Sequence, residues 1–350
     1  MKGADFSFLS TIEIHNGDAA AVLESRTQSA ALMLTSPPYP MIAMWDELFG
    51  RSPQDQQAGM EAFEAMHCEL DRIWEVVESI LIPGGIACIN IGDALRTWGD
   101  EFGLYPNAAR ITMRFCSLGF TPLPRIIWRK STNAPNKFMG SGMLPGGAYV
   151  TLEHEHILIF RKGGKRPFKD EESKALRRRS AYFWEERNRW FSDLWDLAGE
   201  RQLLKRDAAR ERSAAFPLEL AYRLISMYSV QGDLVVDPYL GTGTAALAAA
   251  AAGRSFLGSE LDPELAAAAM ELVIGGSAET SATIARERLG SHRSFIEEYS
   301  LRKGRPKHEN SFYGFPVITA QERELILPLA GEIRRRDNRV EIEQKPAEKE

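Results

Sequence analysis

The sequence predicts an α/β fold built on a doubly wound, mostly parallel sheet, and three observations carry that expectation. Short, almost wholly apolar runs at residues 30–34, 86–91 and 234–236 read as strands buried on both faces. Segments with apolar residues every three or four positions, such as 54–80 and 217–228, lie between them and read as helices. Strand and helix in alternation bury their apolar surfaces best as a parallel sheet covered on both sides.

Taken in order, residues 11–15 alternate like a strand, and Gly17-Asp18 end it with turn chemistry. Residues 30–34 form a buried strand that stops at Ser36-Pro37-Pro38. That puts a loop at the C-terminal end of a strand, where ligands of open α/β sheets gather. Met60, Phe63, Met66, Leu70, Ile73, Trp74 and Val77 set the apolar face of helix 54–80, and Pro83-Gly84-Gly85 break it before strand 86–91. Residues 108–118 read as a helix stopped by Gly119. Residues 120–128 follow as a strand whose first half Pro122 and Pro124 confine to an edge. Residues 131–147, rich in Gly, Pro, Asn and Ser, read as a long functional loop. Strand 156–161 precedes a basic segment. Helix 217–228 with Pro217 at its start, strand 234–237, Ala-rich helix 244–252, strand 255–259 and helix 263–273 complete the pattern. Residues 345–350 read as a charged, frayed tail.

Over 350 residues, 44% hydrophobic and 26% charged composition fits one large globular core. No apolar run is long enough to span a bilayer, and the N-terminus lacks the pattern of a signal peptide. Cys68, Cys88 and Cys116 are sparse and in no metal spacing, so all three are expected in the core of a cytoplasmic protein that binds no metal. The net charge of -5 excludes a uniformly basic nucleic-acid binder. It leaves room for a local patch: residues 161–190 hold 11 Lys/Arg against 5 Asp/Glu, a balance of +6.

Two loops carry chemistry. In the later one, Asp237-Pro238-Tyr239-Leu240-Gly241-Thr242-Gly243-Thr244 joins a strand to a helix. Gly241 and Gly243 admit positive φ and let backbone approach a nucleotide-like ligand. Glu260, which ends the next strand ahead of Leu261, is placed to accept hydrogen bonds from ribose hydroxyls. In the earlier loop, Thr35-Ser36-Pro37-Pro38-Tyr39, the two prolines fix φ and hold carbonyls in one direction. Ser36 Oγ and the Pro37 carbonyl can accept from an amine, and Tyr39 can stack on an extruded base.

These segments resemble the S-adenosylmethionine-dependent DNA amino-methyltransferases. The catalytic loop stands about two hundred residues before the cofactor loop, an order similar to that of the circularly permuted beta group. The resemblance implies a Rossmann-like class I methyltransferase fold with a small inserted DNA-recognition region. It implies catalytic roles for Ser36, Pro37, Pro38 and Tyr39. It assigns cofactor contacts to Asp18, Thr35, Phe216, Pro217, Asp237, Pro238, Tyr239, Gly241, Thr242, Gly243, Thr244, Glu260 and Leu261. Asp18 reads equally as a helix N-cap. Ser36 in place of Asp matches the N4-cytosine pattern, with adenine N6 as the alternative acceptor. Cytosine C5 chemistry needs a thiolate nucleophile, and no cysteine follows a proline in such a loop.

Lys137, Lys165, Arg166, Arg177, Arg178 and Arg179 are the candidate contacts to duplex DNA. The expected organisation is a catalytic half at 1–160, a basic recognition insert at 161–212, a cofactor half at 213–290 and a C-terminal extension at 291–350. The expected partners are duplex DNA, a cognate restriction endonuclease and a second copy of the chain, with no membrane. The rival from another class is a DNA-binding protein with a vestigial methyltransferase fold, against which the intact loops argue.

Overall fold

The computed structural model describes residues 6–24, 26–51, 58–99, 101–130, 139–198 and 216–348. Ten strands form one sheet. In chain order they are β1 (Phe8–Asn16), β2 (Ala30–Thr35), β3 (Leu81–Ile91), β4 (Phe120–Arg129), β5 (His154–Lys162), β6 (Leu194–Asp196), β7 (Leu234–Asp237), β8 (Ser255–Glu260), β9 (Pro328–Arg336) and β10 (Arg339–Pro346). Their order across the sheet is β6-β4-β5-β3-β2-β7-β8-β1-β10-β9. The five strands from β3 to β1 run parallel, and antiparallel strands flank them on both sides. The expected α/β architecture is therefore present.

Every residue of β2 is buried, as its apolar run requires. Alternate residues feed opposite faces. Leu32 and Leu34 join a core built with α6 (Leu218–Tyr228), α7 (Thr244–Ala251) and the first half of α8 (Pro263–Lys303). Met33 joins the opposite core, with α1 (Ala19–Leu23), α2 (Gly59–Ile80) and α3 (Asn107–Ser117). Two short helices, α4 (Glu171–Arg179) and α5 (Trp184–Trp190), lie between β5 and β6.

Several expectations change. Helix α8 runs 41 residues rather than stopping near 273. Gly275, Gly276 and Gly290 interrupt its sequence signal, while Val273, Ser277, Ser281, Ala285, Leu289, His292 and Ile296 are buried along it. The tail is not frayed at Lys345: β10 extends to Pro346 and pairs with β1 from Phe8↔Gln344 to Glu13↔Arg339. At the end of the 131–147 stretch, Met139–Gly140 pairs with Ala148–Tyr149, just beyond it, as a small hairpin. Cys68 and Cys116 are exposed, and only Cys88 is buried. The expected boundaries at 160 and 290 fall inside β5 and α8 rather than between elements.

Candidate active site

Strands β2 and β7 are neighbours, so two loops distant in sequence leave the sheet side by side. The Thr35 hydroxyl donates to Asp237 Oδ1 at 2.5 Å, and the Tyr239 amide donates to the same oxygen at 3.0 Å. Burial pushes the Asp237 carboxyl up to about 7 against the pull of these two donors. Thr35 and Asp237 are both buried and join the two loops at their roots.

Gly241 and Gly243 hold φ of +56° and +89°, as the loop geometry demands. Their roles differ. Space beyond Gly241 is open, whereas a Cβ on Gly243 would stand 2.7 Å from the Ala269 Cβ on α8. Gly243 is thus required for helix packing. Glu260 accepts from the Gly241 amide at 2.8 Å and the Asp262 amide at 3.0 Å. Asp18 caps α1 by accepting from the Ala21 amide at 3.2 Å. The Gly17 amide donates to the Glu260 carbonyl, which brings Asp18 and Glu260 to the same edge. Pro238, Leu240 and Thr242 continue the loop, Thr244 opens α7, and Leu261 is exposed. Phe216 is buried in the core beside α6, and Pro217 caps that helix.

The catalytic-loop residues meet a polar network. Tyr39 Oη donates to Glu155 Oε2 at 2.9 Å and accepts from Asn90 Nδ2 at 2.8 Å. Asn90 Nδ2 also donates to Glu155 Oε2 at 2.6 Å, and Ser36 Oγ lies 3.0 Å from Tyr39 Oη. Lys130 forms an ion pair with Glu155 and lies 4.4 Å from the Trp128 ring centroid. Burial and then the Glu155 charge hold the Tyr39 phenol well above its ordinary value, so it keeps its proton. Pro37 and Pro38 are buried.

A second device holds the far side of the loop. Asn107 Nδ2 donates to the Pro40 carbonyl at 3.0 Å and the Gly92 carbonyl at 2.9 Å. Its Oδ1 lies 2.9 Å from His67 Nε2 and must accept there. The ring is therefore the neutral Nε2–H tautomer. Burial pushes His67 down to about 4.

Sequence reasoning missed Asn90, Lys130, Glu155, Asn107 and His67. Asn90 did carry a signal, as a polar residue inside a buried apolar strand. The His154 and His156 rings make an edge-to-face contact at 4.9 Å, and His156 lies 3.7 Å from Asp93.

The basic candidates are not brought to this site. Strand β5 pairs with β3 so that His156 faces Ile91 at the catalytic end and Arg161 faces Ile86 near the other. The chain after Lys162 therefore continues from the opposite end of the sheet. There Arg166 makes two hydrogen bonds to Asp233, at 2.6 and 2.9 Å, just before β7 begins. Arg166 and Arg177 each lie 4.9 Å from the Phe168 ring centroid. Arg178 pairs with Glu324 at 3.0 Å, and Arg179 lies 5.6 Å from the Phe6 ring centroid. Lys165 is exposed in the same stretch. These contacts give Arg166, Arg177, Arg178 and Arg179 partners within the protein, away from the catalytic loop. Lys137 lies outside the described residues.

The DNA methylase model of the N6/N4 type matches residues 30–271, a span that holds both loops. Type II methyltransferase M.MthZI of Methanothermobacter thermautotrophicus is 49% identical over 325 residues, 91% of this chain and 90% of the relative. The chain belongs to the N6/N4 DNA methylase family. M.MjaI of Methanocaldococcus jannaschii is 46% identical over 266 residues, 71% of this chain and 86% of that relative. Among solved structures, TTHA0409 of Thermus thermophilus, in complex with S-adenosylmethionine, superposes with a TM-score of 0.59 at 36% identity, covering 75% of this chain and 95% of that one. The cytosine-N4-specific PvuII DNA methyltransferase, at 19% identity and TM-score 0.54, shares the fold over 75% of this chain and 86% of its own.

Proposed function

We propose that this DNA methylase transfers a methyl group from S-adenosylmethionine to the exocyclic N4 amine of a cytosine flipped out of duplex DNA. The observation that carries the choice of cytosine is Ser36 at the head of the Pro-Pro-Tyr loop, where the adenine-specific enzymes it resembles usually carry Asp. With the catalytic loop first in the chain, we assign it to the circularly permuted beta group.

The residues present fit the cofactor. Asp18 and Glu260 set carboxylate acceptors on one edge for adenosine hydroxyl and amine donors, and the open side of Gly241 allows close approach. When bound, the cofactor supplies an electrophilic methyl on a sulfonium centre. Ser36 Oγ and the Pro37 carbonyl accept the two N–H bonds of the target amine and aim its lone pair. The Tyr39 ring stacks on the extruded base, while its hydroxyl is anchored by Glu155 and Asn90. Orientation and proximity lower the barrier, with no covalent enzyme intermediate. Duplex DNA lies over the C-terminal ends of β2, β3 and β4, beside the hairpin with exposed Met143 and Leu144. A companion restriction endonuclease would suit relatives named Type II methyltransferases.

The test is incubation with radiolabelled S-adenosylmethionine and mixed-sequence duplex DNA, followed by nucleoside digestion. Label in N4-methylcytosine is expected. Label in N6-methyladenine refutes the inference from Ser36, and bound cofactor with no labelled nucleoside refutes DNA methylation itself.

A further inference from the structure

Serine is an ambiguous group at the head of a catalytic loop, because its hydroxyl can donate as well as accept. A carboxylate at the same position only accepts. To receive an N–H of the target amine, Ser36 must spend its own proton elsewhere. The network around Tyr39 settles which way that proton points.

Glu155 is ion-paired with Lys130 and can only accept. It takes the one phenolic proton of Tyr39 at 2.9 Å. Asn90 Nδ2 donates to both Tyr39 Oη and Glu155 Oε2, which keeps the three groups in register. With its proton committed, Tyr39 Oη meets Ser36 Oγ at 3.0 Å only as an acceptor. Ser36 is then the donor in that contact, and its lone pairs stay free to accept.

We propose that Glu155 is a positioning residue that orders the chain Ser36 O–H → Tyr39 O–H → Glu155 and so makes Ser36 Oγ an obligate acceptor for the amine being methylated. The proposal rests on the methyl-transfer reading above. It explains how a neutral hydroxyl serves where related loops hold an acid: the negative charge sits two hydrogen bonds away, on β5. The raised Tyr39 phenol agrees with a proton that stays on Tyr39 and is given to Glu155.

The experiment is a double-mutant cycle on the full-length protein. Single-turnover methyl transfer is measured with saturating cofactor on a duplex carrying the site that the wild type methylates. Cofactor affinity is measured alongside by calorimetry. Glu155→Gln removes the charge and lets an amide N–H face Tyr39. It is expected to slow transfer about ten- to a hundred-fold, the worth of one charge-assisted hydrogen bond, with cofactor affinity unchanged. In a Ser36→Ala background, Glu155→Gln is expected to add almost nothing, because no hydroxyl remains to orient. Tyr39→Phe keeps the ring but breaks the chain. It should show the same dependence on Ser36, and it carries the test if Glu155→Gln does not fold.

Full-rate transfer by Glu155→Gln overturns the proposal. So does an equal loss with and without Ser36, which would make Glu155 a mere anchor for the Tyr39 ring. A wild-type protein that methylates no DNA overturns the parent reading instead, before any variant is compared.

Discussion

Asp237→Asn tests whether the joint between the two loops is built for ligand rather than for stability. Asp237 is buried, and its carboxyl is pushed from 3.8 up to about 7, first by burial. A folded value above the unfolded one gives a contribution that is full below about pH 4 and lost as pH rises through 7. Three pH units correspond to about 4 kcal/mol. Asparagine keeps the acceptor oxygen for Thr35 and Tyr239 and has no charge to desolvate. Its N–H group costs about 1–2 kcal/mol if it finds no partner. Cofactor-free Asp237→Asn should therefore be the less stable protein near pH 4 and the more stable by about 2–3 kcal/mol at pH 8.5. Urea unfolding of both proteins between pH 5 and 8.5 reads this directly. The wild type should lose about 3 kcal/mol relative to the variant over that range, a difference from which all other titrating groups cancel. A stability difference that stays flat with pH would refute the reasoning, since it would mean that Asp237 is ionised throughout.

Other outcomes follow from the same geometry. His67, pushed down to about 4, has the opposite sign: its contribution is full above its ordinary value of 6.5 and is lost as pH falls toward 4. Relative to His67→Gln, which keeps a donor for Asn107, the wild type should lose about 2–3 kcal/mol between pH 7.5 and 4.5, and a constant difference in urea unfolding would contradict the neutral ring. Tyr39→Ala should abolish turnover while leaving cofactor affinity intact in calorimetry; retained turnover would remove the stacking role. Neutralising Lys165, Arg177 and Arg178 together should leave DNA affinity and its salt dependence unchanged, because the segment continues from the far end of the sheet. A salt slope reduced by about one for each lost cation would return them to the DNA interface.

The sheet was legible where strand chemistry is local. Residues 30–34, 86–91 and 234–236 are almost wholly apolar runs, and each lies in a strand of the central parallel region. The loops at 36–39 and 241–243 could be read because special backbone needs leave Pro and Gly in the sequence. What pairing creates was not legible. Glu155 stands in no motif of the sequence, and its meaning arises only when β5 sets it against Tyr39 and Asn90. The charge count over 161–190 was correct but one-dimensional: chain direction, not composition, decides which end of the sheet a segment occupies. The C-terminal hairpin hid for a related reason. Its tip, residues 334–339, is dense in charge, while Val340, Ile342 and Gln344 alternate inward, with Gln344 Nε2 donating to Ser10 Oγ at 2.9 Å.

The measurement that bears most directly on the central claim is nucleoside mass spectrometry of DNA from a methylation-free host expressing the wild type or Ser36→Ala. The account predicts N4-methylcytosine with the wild type and its near-disappearance with the variant. N6-methyladenine in its place, or N4-methylcytosine undiminished in Ser36→Ala, would contradict it.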